Sequence, residues 1–268
     1  MKILKFTLSG KTAFFKKPDV NTYLYFTYGN IHKVALLGMF GAILGYSGYN
    51  QMKMENMSNK ADKKASKKVF FPEFYDKLQN IKIAIVPNNE KGFIHKKVQI
   101  FNNSVGYASK EQGGNLIIKE QWLENPSWYV YVLIDDEESK KIAEYLLNHK
   151  TIYQPYLGKN DHYANITDIE IIEDNEITEL EEINKINSIC PKKFFEVNLE
   201  EDEEEEEYDE PVDEVYEDIF KYEEQLPIGL DKETNMYISE GFLYTNMKVS
   251  CDSNVTVYKI RKRNIVFY

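Results

Sequence analysis

The sequence predicts an α+β fold, because strand and helix patterns alternate along its first 175 residues. The run 2–9 alternates polar and apolar side chains, as a half-buried strand does. The run 127–135, SWYVYVLID, is rich in the β-branched and aromatic residues of a buried strand. Apolar residues at helical spacing fill 34–49, and an amphipathic pattern fills 136–150. These four elements predict two strands and two helices in one domain.

Two further strands complete a recognisable order. Segments 81–86 and 163–174 are short and rich in branched apolar residues. The order strand, helix, strand, strand, helix, strand is that of the ferredoxin-like fold, which RNA-recognition domains also use. Between the second and third core strands, residues 93–123 predict an extended hairpin. We therefore expect a ferredoxin-like domain at 1–175 and a small β-rich region at 176–268.

The stretch VALLGMFGAILGYSGY at 34–49 holds four glycines among apolar side chains. It is shorter than the ~20 residues that a helix needs to cross a bilayer. Its glycines lie at helical intervals and match neither a P-loop nor a dinucleotide-binding motif. We expect a helix with Asn30 as N-cap and Gly48 at its end, whose small face allows close packing. A membrane-associated adaptor that uses this helix stays open as an alternative.

Charge is distributed unevenly along the chain. The net charge of −11 combines +12 over residues 1–110 with −23 over residues 111–268. The first part is basic enough to bind a polyanion. The lysine-rich segment 51–68 predicts a mobile loop, and the acidic tract 199–224 predicts a disordered surface insertion.

Few residues suggest metal or redox chemistry. Cys190 and Cys251 have no second cysteine or histidine at ligand spacing, so we expect reduced thiols in a cytoplasmic protein, with no cofactor and no metal. We expect His162 to be an exposed loop residue. His95 stands beside two lysines and is the candidate general base if the protein is a metal-independent endoribonuclease.

Basic residues alternate with aromatic and amide residues in three clusters, at 11–17, 96–107 and 258–262. Ammonium groups contact phosphates, rings stack on bases, and amides read base edges in single-stranded RNA complexes. A solvated strand face explains any one cluster equally well. The three clusters together with the ferredoxin-like order favour RNA binding.

Three stretches resemble one family, the CRISPR-associated protein 5 family of the RAMP superfamily, and most closely its type I-B Cascade members. NIHKVALLGMFGAILGY at 30–46 resembles the family's loop and glycine-patterned helix. The stretch 98–132 resembles its extended hairpin, which leads into an L-x-x-P element and the third core strand. QPYLGKNDHYANITDI at 154–169 resembles its PYLG element before the last core strand.

The resemblance implies a non-catalytic subunit that caps the 5′ handle of a guide crRNA. It also implies contacts with the backbone and large subunits of an interference complex, and indirectly with target DNA. The hairpin, a thumb in that family, and the loop before the glycine helix would contact RNA. The residues implied are Lys11, Asn30, His32, Lys33, Lys96, Lys97, Asn102, Asn103, Tyr107 and Lys110. A nuclease acting on precursor crRNA, with His95, is the enzymatic alternative.

Overall fold

The computed structural model describes residues 1–19, 22–61, 68–181, 183–198, 218–252 and 254–268. The α+β class predicted from the sequence is confirmed. The strands are β1 (Lys2–Ser9), β2 (Thr12–Ala13), β3 (Ile83–Pro87), β4 (Lys96–Asn102), β5 (Ile117–Glu124), β6 (Ser127–Leu133), β7 (Asn165–Glu173), β8 (Ile177–Leu180), β9 (Cys190–Pro191), β10 (Phe195–Val197), β11 (Lys221–Leu230), β12 (Tyr237–Thr245), β13 (Val249–Cys251), β14 (Val257–Ile260) and β15 (Arg263–Val266). The α-helices are α1 (Lys33–Leu44), α2 (Tyr49–Ala61), α3 (Glu73–Leu78) and α4 (Glu137–Leu147). Single 3₁₀ turns lie at Glu90–Gly92, Ala108–Lys110, Asp174–Glu176 and Lys192–Phe194.

The central sheet has the strand order β3-β6-β1-β7, with every neighbouring pair antiparallel. In chain order β1, β3, β6 and β7 are core strands 1 to 4, so the sheet order is 2-3-1-4. Helix α1 lies in the connection from β1 to β3, and α4 lies in the connection from β6 to β7. The ferredoxin-like order that the sequence predicts is therefore present. Strand β1 lies inside the sheet, and its register against β7 shifts between Lys5 and Thr7.

The main core lies between this sheet and the helices. Leu4, Phe6 and Leu8 point from β1 toward α1, because alternate residues of a strand share one face. The rings of Phe6 and Phe40 meet edge to face, with 6.2 Å between their centroids. Most of α1 is buried, so the helix needs no polar face.

The opposite face of the sheet is partly covered by the C-terminal strands β8, β14 and β15, which form a sheet of their own. Ile3 and Ile172 pack there against Ile260 and Ile265. Arg261 donates hydrogen bonds to Glu170 and to Glu176, which ties this small sheet to the edge strand β7. RNA-recognition domains bind RNA on this sheet face. In the present chain its β-rich region occupies part of that surface.

The glycine helix differs from the prediction at both ends. It begins at Lys33 with His32 as N-cap, and it ends at Leu44. Asn30 does not cap it, because its amide is engaged in the core. Gly45 rather than Gly48 ends the helix, since Gly45 adopts φ of 79° and its N–H bonds back to Ala42.

Two other predicted segments need correction. The predicted loop 51–68 is helical in its first part, as α2, and residues 62–67 lie outside the described residues. The predicted insertion 199–224 extends too far. Residues 199–217 lie outside the described residues, but Lys221 to Glu224 belong to β11 and pair with β12. The acidic composition of 200–224 concealed this strand, which the paired register holds in place.

The predicted hairpin is formed by β4 and β5, and β2 extends its sheet on the β5 side. Strand β4 forms the other edge of this sheet, and its side chains are exposed or half-buried throughout. Among the described residues, none of the helices combines the length and the hydropathy of a membrane span.

Candidate functional site

A groove runs along one side of α1, with a volume of about 970 Å³. Its floor is the small-residue side of the helix, formed by Ala35, Gly38, Ala42 and Gly45. These positions recur every three or four residues and so share one face. Because they carry at most a methyl group, the groove reaches down to the helix backbone. We call it the helix groove.

The glycines of α1 serve two different surfaces. A Cβ on Gly41 would overlap the Cβ of Phe74 in α3, so this glycine permits close helix packing. A Cβ on Gly38 would be 3.9 Å from the ring of Phe74, an ordinary contact. Gly38 therefore has room for a side chain. Because glycine has none, the space beside Gly38 stays open and forms part of the groove.

Aromatic side chains form the walls of the helix groove. The ring-bearing residues are Phe14, Phe15, Tyr25, Tyr46, Tyr49, Phe74, Tyr153, Tyr156 and Tyr237. The loop with Tyr153 is attached to the end of α1, where the backbone N–H groups of Ile152 and Tyr153 donate to Ile43 and Ala42 at 2.9 and 3.1 Å. Tyr153 is 60% exposed and Tyr156 44% exposed. Their rings are accessible at the rim, where a base could stack on them.

Two lysines line the helix groove, and they differ in their partners. Lys159 Nζ lies 3.2 Å from Glu120 and 3.3 Å from Asp161, so its charge is compensated. Lys16 Nζ lies over the Tyr25 ring, 4.1 Å from its centroid, and forms no ion pair with a described residue. Lys16 is thus the cation of this groove that is available to an anionic ligand.

A buried network fixes the base of the hairpin beside the groove. Glu120 is 5% exposed and accepts hydrogen bonds from the Trp122 indole (2.8 Å) and from Lys159. His162 lies edge-on against Trp122 and is hydrogen-bonded to the Thr12 hydroxyl at 2.6 Å. The expectation that His162 is exposed is wrong, since it is 1% exposed. Burial lowers the pKa of His162, which favours the neutral ring.

His32 supports the groove wall from inside. It is 2% exposed, and its Nδ1 accepts a hydrogen bond from the Ala35 backbone N–H at 3.2 Å. The rings of Phe15, Tyr28 and Tyr237 surround it. Burial lowers the pKa of His32 to about 3, so the imidazole is neutral at physiological pH. Its predicted role as an exposed RNA contact is corrected: it caps α1 and holds the wall.

Asn30 is also buried rather than presented to a ligand. Its Nδ2 donates to the Gly92 carbonyl at 3.2 Å, and its Oδ1 accepts from the Trp128 indole at 2.9 Å. Lys33 donates to the Tyr268 carbonyl at 3.1 Å, and burial lowers the pKa of Lys33 to about 8. The segment before α1 therefore connects the hairpin base, the sheet and the C-terminal strands. The prediction that it faces a ligand is wrong for Asn30 because core hydrogen bonds occupy its amide.

The other predicted residues lie around the hairpin, outside the helix groove. Tyr107 is 80% exposed near the tip of the hairpin. Lys97 Nζ lies 3.2 Å from a carboxylate oxygen of Glu124. The side-chain oxygen of Asn102 accepts a hydrogen bond from the Ser104 backbone N–H. Exposed as well are Lys11, His95, Lys96, Asn103 and Lys110. The structure does not gather them into one site with the groove, and their contacts with RNA stay predictions.

Sequence reasoning missed the groove residues Lys16, Tyr25, Tyr153, Tyr156 and Tyr237. Lys16 stood within the basic and aromatic cluster at 11–17, which was a usable signal. Tyr156 stood within the PYLG element. Tyr237 carried no signal, because only the fold brings β12 to the loop before α1. Among the described residues, no group of three or more histidine, cysteine or acidic side chains is arranged to hold a metal ion.

Comparisons with known proteins bear on the fold. No family model and no curated protein matches the chain in sequence. A chain of a solved CRISPR RNA-guided surveillance complex matches with a TM-score of 0.50 and 11% identity, over 91% of this chain and 90% of that one. A CRISPR protein from Archaeoglobus fulgidus matches at 0.43 and 8% identity, over 99% and 98%. At these identities the likeness concerns the fold, which this protein shares with a chain of an RNA-guided surveillance complex.

Proposed function

We propose that this protein is a non-catalytic RNA-binding subunit of a type I CRISPR interference complex, of the I-B kind, and that it holds the 5′ handle of the guide crRNA. The observation that carries the proposal is the helix groove, with its aromatic walls and the ammonium group of Lys16, which forms no ion pair within the part of the chain that the structure describes. The three family-like sequence stretches and the shared fold support the choice of complex.

The dimensions of the groove suit a short single strand. From Ala35 to Gly45 the helix advances ~15 Å, at ~1.5 Å per residue. Each base that stacks on a protein ring contributes ~1–3 kcal/mol. Tyr25, Tyr153 and Tyr156 offer such rings at the walls. A double helix would not expose its bases to them, so the groove favours unpaired nucleotides.

The arrangement of the sheet also favours this side of the molecule. The C-terminal strands cover part of the sheet face that RNA-recognition domains use. An RNA strand therefore has the helix side available to it. The hairpin rises beside the groove, and we propose that its exposed lysines contact RNA or the neighbouring backbone subunit.

A binding experiment tests the RNA part of the proposal. We expect the purified chain to bind a single-stranded RNA octamer and to bind the matching duplex at least tenfold more weakly. If three phosphates are contacted, affinity falls about 20-fold between 50 and 200 mM salt, since the salt slope is about 0.7 per phosphate. Octamer binding that is independent of salt, or equal binding of the duplex, would contradict the proposal.

A cleavage experiment tests the non-catalytic part. The chain is incubated in EDTA with RNA that carries a CRISPR repeat, beside a His95→Ala variant. We expect intact RNA in both reactions. Cleavage at one position that disappears with His95→Ala would show an endoribonuclease instead.

A purification experiment tests membership of the complex. The chain is co-expressed with the backbone and large subunits, and one of those subunits is purified. We expect this chain to be recovered with it, and failure to recover the chain would oppose its membership of the complex.

A further inference from the structure

A second cavity, of about 700 Å³, lies next to the helix groove and shares part of its wall. Both cavities are lined by Lys16, Tyr49 and Tyr237. The second cavity, which we call the side chamber, is otherwise lined by residues from two parts of the chain, which are Lys17, Pro18, Asp19 and Tyr28, and then Gln225, Asn235, Met236 and Ser239. The side chamber therefore extends from the wall of the helix groove to the turn between β11 and β12.

The turn between β11 and β12 is closed by its own hydrogen bonds. The Asp231 backbone N–H donates to the Met236 carbonyl at 2.8 Å, and the Asn235 backbone N–H donates to the Asp231 carbonyl at 2.9 Å. The Asp231 carboxylate is used within the turn, where it accepts from the backbone N–H and the hydroxyl of Thr234 at 2.8 and 2.7 Å. Lys232, which follows Asp231, is therefore carried on an ordered turn.

Phe70 lies beside this turn, and its segment is held by two other elements. Asn235, which lines the side chamber, donates its side-chain amide to the Phe70 carbonyl at 2.8 Å. Asn56 of α2 both donates to and accepts from the backbone of Val69, at 2.9 Å in each case. The segment 68–70 thus joins α2 to the β11–β12 turn, next to the wall of the side chamber.

Two lysines place their ammonium groups against the Phe70 ring. Lys68 Nζ is 4.8 Å from the ring centroid, and Lys232 Nζ is 4.5 Å from it. Lys68 is paired with Glu233 at 2.9 Å, whereas Lys232 is exposed and forms no ion pair with any residue that the structure describes. Two like charges held near one ring repel each other, so a bound anion would stabilise the pair. We call Lys68, Phe70 and Lys232 the Phe70 cluster.

We infer that the Phe70 cluster is a second phosphate-binding site, which holds the backbone of the same single-stranded RNA where the strand leaves the helix groove along the side chamber. The inference rests on the proposed RNA-binding function. Lys16 and Lys17 supply ammonium groups between the two sites, where Asp19 is the acidic lining residue and Glu224 lies 3.2 Å from Lys17. Every nucleotide carries the phosphate that these lysines contact, so the cluster adds affinity without selecting bases.

A series of oligouridylates from four to twelve nucleotides tests this site. The affinity of each for the full chain is measured at 50 and 200 mM salt by fluorescence anisotropy. A strand that reaches both lysines contacts two more phosphates than a tetramer held by the groove alone. We therefore expect the salt slope to rise by about 1.4 with length, which makes the affinity of the longer strand fall about sevenfold more over this range. A longer strand also offers more registers to the groove, but that advantage does not depend on salt.

Variants of the two lysines identify the source of this rise. Lys68→Ala combined with Lys232→Ala should lower the salt slope of the dodecamer by about 1.4 and change the affinity of the tetramer less than about twofold. Lys193→Ala is the matched control, because Lys193 Nζ also lies against a phenylalanine, 4.9 Å from the Phe194 centroid, and 2.7 Å from Glu240. Lys193 lines neither cavity, so its variant should keep the full rise.

The possible results distinguish this site from the proposed function. A salt slope that does not rise with length, or a rise that survives the double variant, overturns the second site and leaves the proposed function standing. An equal loss in Lys193→Ala would show a general effect of charge and overturns the site as well. Absence of any RNA binding overturns both proposals.

Discussion

The helix groove and the hairpin differ in how they present side chains to a ligand. The hairpin displays its lysines and amides on a two-stranded projection, and Tyr107 there is 80% exposed. The groove displays few charges but rests on buried supports, chiefly His32, Glu120 and Gly41. Rigid rings lose less conformational entropy on binding than long flexible side chains do. The groove is thus suited to reading bases, and the hairpin to holding a backbone or a neighbour.

The largest effect expected from this contrast concerns the rim of the groove. Replacing Tyr153 and Tyr156 together by alanine removes two stacking surfaces, each of which contributes ~1–3 kcal/mol. We expect affinity for an RNA octamer to fall ~30-fold or more, measured by fluorescence anisotropy. The hairpin variant Tyr107→Ala is the matched control and should lose less than fivefold. Equal losses would remove the distinction between the two regions.

The second expected effect is a pH dependence of stability that arises from the groove wall. His32 has a folded pKa of about 3, below the unfolded value of 6.5, so the unfolded chain binds the proton first. Stability from this group is complete above pH 6.5 and falls as the pH decreases toward 3, by up to ~1.4 kcal/mol per pH unit.

Denaturant unfolding between pH 7 and pH 5 measures this loss, which we expect to be about 2 kcal/mol. His32→Asn keeps a capping side chain without the titration and should remove the part of the slope that His32 contributes, leaving the part from His162, whose pKa burial also lowers. The exposed hairpin residue Asn103, which carries no titrating group, provides the control, and Asn103→Ala should leave the profile unchanged. If His32→Asn does not change how the free energy of unfolding depends on pH, the loss of stability in acid arises from other groups.

The third effect separates the two kinds of glycine in α1. Gly41→Ala forces α1 and α3 apart, which lowers the free energy of unfolding by ~1–3 kcal/mol. The higher helix propensity of alanine offsets ~1 kcal/mol of this loss. Gly38→Ala meets only an ordinary contact and should raise stability by up to ~1 kcal/mol. Its methyl group enters the groove, however, so we expect weaker RNA binding from a more stable protein. Urea unfolding and octamer binding of both variants check this, and a destabilised Gly38→Ala would contradict it.

The smallest effect compares single cations of the two regions. Lys16→Ala should weaken octamer binding ~3- to 10-fold and reduce the salt slope by ~0.7, as the loss of one phosphate contact does. Lys97 pairs with Glu124 on the hairpin, with both side chains 40% exposed, so Lys97→Ala should change affinity less than twofold. Titrations at 50, 100 and 200 mM salt distinguish the two. A larger loss for Lys97→Ala would make the hairpin the principal anionic site.

Local patterns predicted the fold well, whereas the site depended on contacts distant in sequence. The alternation at 2–9 and the apolar run at 127–135 each marked a strand without help from the rest of the chain. The strand at Lys221–Glu224 was concealed by acidic composition, because pairing with β12 overrides local preference there. Tyr237 reaches the groove only through the fold. The family resemblance made His32 an RNA contact, and no local signal distinguishes an exposed histidine from a buried helix cap.

The position of β1 within the sheet has a consequence for synthesis of the chain. Lys5 of β1 pairs with Glu170 of β7, 165 residues later, and the other neighbour of β1 is β6. At a translation rate of about 5–20 residues per second, β1 waits on the order of ten to thirty seconds for that partner. Until β6 is synthesised, Leu4, Phe6 and Leu8 have no sheet to join, and both edges of the strand are open to other chains. Nascent chains that stall before β6 should therefore depend on chaperones, and a fragment that ends at residue 126 should aggregate.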